Sequence, residues 1–100
     1  MRQRIDFSVV NAAALGALLI LLRRWLPDGQ ERGCEYVAKN PTRTDHTAGS
    51  FSINTVTGKW ADFATGDRGG DPVSLAAYLF GLSQIEAARR IADMLSIRGM

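Results

Sequence analysis

The sequence predicts an α+β domain with one N-terminal helix, a small antiparallel sheet of about three strands and two C-terminal helices. Three observations carry that prediction. Residues 9–22 are almost wholly apolar and run into a Pro-Asp-Gly stop at 27–29. Residues 50–54 alternate polar and apolar, the period of a half-buried strand. Near the C-terminus, an Asp-Pro start and a Ser-x-x-Glu capping box stand close together, as two successive helices require.

The first helix is expected over 7–25, with Asp6 as its cap. Such a helix is apolar nearly all round and needs cover on more than one side, some of it from a partner. The run of 9–22 is too short to span a bilayer, which takes about 20 residues, and Arg23 and Arg24 close it. A buried helix is the expectation, not a membrane segment or a signal peptide.

The ribbon is expected over 33–70. Residues 33–39 read as a strand with Cys34, Tyr36 and Ala38 on one face, and Cys34 as a buried apolar filler. A polar loop follows over 40–49. Phe51 and Ile53 mark the inner face of the next strand, 54–58 supply turn residues, and 59–63 return as its hairpin partner. A glycine-rich loop covers 65–70. The helices over 72–81 and 84–97 close the chain. Val73, Ala76, Ala77 and Phe80 point inward on the first, and Ile85, Ala88, Ile91, Ala92 and Leu95 on the second. Glu86, Arg89, Arg90 and Asp93 are expected to pair on its wet face.

Composition bounds the function. At 100 residues, 46% apolar and 22% charged, this is one ordinary globular domain. A net charge of +2 does not by itself argue for nucleic acid, but ten of the twelve basic residues are Arg, which forks onto phosphates and stacks on bases. A single cysteine excludes an intramolecular disulfide and a multi-cysteine metal site, and fits a reducing cytoplasm. No nucleophile–base–orienter set, carboxylate cluster or phosphate loop is present, so no catalytic residue, metal or cofactor is expected. His46, beside Asp45, reads as solvated.

The order of the short motifs is more informative than any one of them. Tyr36 precedes Asn40-Pro41-Thr42-Arg43. Ser50-Phe51-Ser52 follows, then Trp60, Asp62-Phe63-Ala64-Thr65-Gly66, Gly69-Gly70-Asp71 and Gly81-Leu82-Ser83. Over residues 33–97 this series resembles the N-terminal zinc-binding domain of bacterial DnaG-type primases. The form is cysteine-free, similar to that at the front of phage and plasmid primases with a TOPRIM or helicase part downstream. A zinc ribbon carries Cys or His at both ends of each knuckle. Here those corners are Asn40, Arg43, Asp62 and Thr65, so the fold is expected to be zinc-ribbon-like without metal. A structural zinc can supply on the order of 10 kcal/mol in small modules. An Asp62–Arg43 bridge is expected in its place, with Asn40 and Thr65 hydrogen-bonding loop backbone.

The resemblance implies an accessory domain that contacts the single-stranded template of a mobile-element primase. Lys39, Lys59 and Arg68 are the expected phosphate contacts, and Trp60 the expected base-stacking residue, although as a large aromatic it could equally belong to the core. Arg43 is assigned to structure and not to phosphate, Phe63 is expected in the core with Phe51 and Ile53, and Asp71 caps its helix instead of leaving an anion site. The remaining implied partners are a primase, helicase or polymerase polypeptide, and a second copy docking through the N-terminal helix. The competing expectation is a protein-docking module that has lost DNA contact along with its metal.

Overall fold

A computed structural model describes residues 4–42 and 49–97. The expected Asp62–Arg43 bridge, most of the 40–49 loop and His46 lie outside the described residues in whole or in part. In chain order the elements are α1 (Phe7–Gly16), α2 (Leu18–Trp25), β1 (Gln30–Arg32), β2 (Glu35–Ala38), β3 (Phe51–Asn54), β4 (Trp60–Asp62), β5 (Arg68–Gly69), α3 (Pro72–Phe80) and α4 (Gln84–Met94). The predicted α+β class holds, with corrections inside it.

The single helix over 7–25 is two helices bent by 83°. Asp6 caps the first as expected, its carboxylate accepting from the Ser8 and Val9 N–H groups. At Ala17 the backbone leaves the helical region (φ −114°, ψ 19°), and its N–H turns back to the Ala14 carbonyl before α2 resumes. The bend answers the question of what covers an all-round apolar helix. Val10 and Ala14 of α1, with Leu21, pack against α3 and α4; Leu18, Leu22 and Leu26 pack against the sheet. Leu18 and Leu22 are thus interior to the domain, whereas Val9 and Ile20 stay 43% and 70% exposed. No single helix among the described residues is long and apolar enough to cross a membrane.

The sheet has five antiparallel strands in the order β1-β2-β3-β4-β5, not about three. The additional strands are short edges: Gln30–Arg32 before the predicted ribbon, and Arg68–Gly69 inside the predicted loop. Gly33 (φ 59°) and Cys34 form the two-residue turn between β1 and β2, where a positive φ at the first position matches the twist of a hairpin. Cys34 is therefore exposed in a turn, not a buried filler.

Strand pleating sorts the side chains. Tyr36, Ala38, Phe51, Ile53, Trp60 and Asp62 face inward and are buried. The Tyr36 hydroxyl donates to the Leu26 carbonyl at 2.7 Å, tying the end of α2 to the sheet. Burial raises the Tyr36 pKa, because the phenolate would be desolvated there.

The two closing helices start where the sequence says. Asp71 accepts from the Ser74 N–H with Pro72 at the first position, and Ser83 with Glu86 forms a reciprocal capping box. The Ser83 N–H bond to Glu86 holds that carboxylate below its usual range. Val73, Ala76, Ala77, Ala88, Ile91 and Ala92 are buried as expected, and the faces differ at their margins. Leu75 is buried and Phe80 is half exposed; Ala87 is buried and Ile85 is half exposed. The helices end at Phe80 and Met94. Between described residues the close ion pair is Arg23–Glu31, and along α4 the expected pairing is limited to the Arg90 charge acting on Glu86.

Candidate functional site

Two of the knuckle corners, Asn40 and Asp62, come together under α3. Asn40 and Asp62 are 1% and 0% exposed, the only buried polar side chains among the described residues. The Asn40 amide donates to Asp62 Oδ2 and to the Tyr78 hydroxyl, both at 2.8 Å. Asp62 Oδ1 accepts from the Ala64 N–H, and Asn40 Oδ1 accepts from the Thr42 N–H and hydroxyl. The hydroxyl of Tyr78, from α3, donates to Asp67 Oδ2 at 2.7 Å. At the fourth corner the Thr65 hydroxyl accepts from the Asp67 N–H. The expected backbone bonds of Asn40 and Thr65 are thus present. The sequence reading missed Tyr78 and Asp67, which link the corners to the helix and the second knuckle.

This arrangement is chemically structural. Among the described residues no group of three or more His, Cys, Asp or Glu side chains is placed to hold a metal. Buried polar groups in such a network rigidify a fold when each has partners and are costly when one is removed.

The predicted nucleic-acid residues divide. Trp60 is 5% exposed, its ring edge-on to Phe51 at 6.2 Å and close to Tyr78 at 4.7 Å. Its indole N–H donates to Ser74 Oγ at 3.0 Å. Gly69 lies directly beneath: a Cβ there would come within 3.0 Å of both the indole and Ser74 Oγ. The stacking role expected of Trp60 is corrected on this ground, because no ring face is left for a base. Phe63, expected in the core, is 77% exposed.

Pleating explains both corrections. Trp60 and Asp62 point inward, so Lys59, Ala61 and Phe63 share the opposite parity on the outer face. Arg68 pairs with Ala61 across β4 and β5. Lys59 and Phe63 lie just beyond the two ends of β4 and line the same face. Ser52, on the other side of Ala61, completes a floor of small side chains. Lys59, Phe63, Ala61, Ser52, Asn54 and Glu35 line one shallow groove. Glu35 accepts the Ser52 hydroxyl at 2.7 Å, so the one carboxylate in the groove is held within the sheet. Lys39 does not join this group. It is exposed past the end of β2, beside a separate small cleft with Asp28 and Pro41.

The outer face therefore carries Lys59, the Glu35 carboxylate and the exposed Phe63 ring in one groove, with Arg68 opposite Ala61 on the edge strand. It can hold a polyanion by charge and a planar group by stacking. Neither models of protein families nor curated protein sequences match this chain.

Proposed function

We propose that this chain is an accessory DNA-binding domain of a mobile-element primase, contacting single-stranded template through the outer face of its sheet. Lys59 and Arg68 meet the phosphates, Phe63 stacks on a base, and the Ser52–Ala61 floor lets the strand lie close. The observation that carries the reading is the 77% exposure of Phe63 in the groove it shares with Lys59, since a large aromatic in solvent near a cation suits single strands. The motif order over 33–97 that resembles primase zinc-binding domains supports it independently of the site. The domain itself performs no chemistry in this reading; primer synthesis belongs to another domain or polypeptide.

The test is binding of single- and double-stranded oligonucleotides at about 50 and 200 mM salt, where phosphate contacts make affinity fall with salt. Single strands should bind better than duplex, and Arg68→Ala should flatten the salt slope by about 0.7, the share of one phosphate contact. Absence of single-strand binding at micromolar protein and the lower salt would reject the reading.

A further inference from the structure

A second surface, sharing no residue with the sheet, lies where α2 ends between α3 and α4. It is a groove of about 330 Å³ with Trp25, Phe80, Leu82, Ile91 and Met94 along its walls and Arg24 and Arg90 at its rim. Its apolar residues are not merely core seen from outside. Phe80 is 51% exposed and Met94 41% exposed. Trp25 and Phe80 stand edge to face at 5.9 Å, a rigid aromatic wall, with the adaptable Met94 also lining the groove. Aromatic residues, Met and Arg are enriched at protein interfaces, whereas Lys, Glu and Asp are depleted, and none of the latter lines this groove. Among the described residues neither Arg24 nor Arg90 is in an ion pair, although the Arg90 charge acts on Glu86 one turn earlier, while neighbouring Arg23 is held by Glu31.

We propose that this groove binds an acidic amphipathic helix of a partner protein, with one or two bulky apolar side chains seated against Trp25, Phe80 and Met94. Acidic residues flanking those anchors meet Arg24 and Arg90. Charge complementarity selects this occupant. A second copy of the chain would bring its own Arg24 and Arg90 to the same rim, and a nucleic acid would find no polar floor between the two cations. A short helix laying its apolar face in a groove, read through anchors three and four residues apart, is a recurrent mode of recognition. The sheet face stays free meanwhile, so the domain can hold a strand and a partner together.

The probe is a synthetic helical peptide of about 14 residues with Leu and Phe at i, i+3, i+4 and i+7 and Asp and Glu on the flanks. A matched peptide carries Lys in place of every acid. Titration is followed by nuclear magnetic resonance, with the two indole N–H signals as internal controls. The Trp25 signal and the Met94 methyl should move, while the Trp60 indole, bonded to Ser74 inside the domain, should not. The Lys peptide should bind at least tenfold more weakly. The double variant Arg24→Glu, Arg90→Glu should reverse that preference, with fold checked by circular dichroism. Met94→Ser, at a position 41% exposed, should weaken the acidic peptide without altering its charge preference. No movement at about 1 mM peptide, where even weak binding registers, overturns the proposal. So does equal binding of both peptides, or the same shifts arising with protein concentration alone, which would assign the groove to a second copy.

Discussion

The two faces of the sheet are built from alternate residues of the same strands and have opposite properties. Tyr36, Phe51, Ile53, Trp60 and Asp62 are at most 5% exposed and bonded or packed to the helices. Glu35, Ser52 and Ala61 are half-buried, and Lys59, Phe63 and Arg68 are exposed. A one-residue shift in register would exchange the two sets. The comparison teaches that stability and recognition are separable here at single-residue spacing: Lys59 and Ala61 flank Trp60, and Phe63 follows Asp62. Substitutions can break that separation or sharpen it.

The largest effect belongs to Trp60. Removing a buried indole leaves a cavity beside Phe51 and Tyr78 and takes one donor from Ser74 Oγ, so Trp60→Ala should cost about 3–5 kcal/mol by chemical denaturation. A loss below about 1 kcal/mol would mean that the ring is not part of the core.

Asp62→Ala comes next. It deprives the buried Asn40 amide of one acceptor, at about 1–3 kcal/mol, while the N–H of exposed Ala64 can turn to water. The same network predicts a double-mutant coupling between Asp62 and Tyr78 through Asn40, measurable as non-additive stabilities. Additive losses would remove the network as a unit.

Tyr36 tests the inner face by pH. Its pKa is raised in the folded state, so above about pH 10 the unfolded chain ionises first and binds fewer protons. The contribution is complete below that pH and is lost as pH rises through the folded value. Tyr36→Phe should cost about 1 kcal/mol near neutrality, for the lost bond to the Leu26 carbonyl. It should also fall less steeply than the parent protein in alkali. Parallel alkaline curves would overturn the burial argument.

Much of this division was legible in the sequence. The alternation of Phe51 and Ile53 fixed the inner face, and the Asp71 and Ser83 caps marked both closing helices. Pairing Trp60 with Ile53 across the hairpin would have placed its ring inside and Phe63 outside, because strand parity then leaves no choice. Other features left no such signal. Gln30–Arg32 is an edge strand of three exposed polar residues, and Arg68–Gly69 is two residues long; neither shows a periodicity. The 83° bend at Ala17 follows from two packing surfaces that compete for one apolar run, a tertiary demand that local propensity does not record. Tyr78 was hidden for a related reason: its partners Asn40, Thr42 and Asp67 are brought to it only by the folded sheet.

The smallest change in stability should accompany the clearest change in binding. Phe63 is 77% exposed and Lys59 has no ion-pair partner among the described residues, so Phe63→Ala and Lys59→Ala should each alter stability by less than about 0.5 kcal/mol. On the outer-face reading the two then differ in kind. Lys59→Ala removes a phosphate contact and should lower the salt slope by about 0.7. Phe63→Ala removes a stacking platform, costing about 1–3 kcal/mol of affinity while leaving the salt slope unchanged. The pair thus distinguishes a face that reads a strand by charge and by stacking from one that attracts any polyanion. If Phe63→Ala binds single strands as tightly as the parent while Lys59→Ala does not, the outer face is an electrostatic surface only. The exposure of Phe63 then needs another cause. If both bind as the parent does, the sheet is a scaffold on both faces, and recognition rests with the groove between α2, α3 and α4.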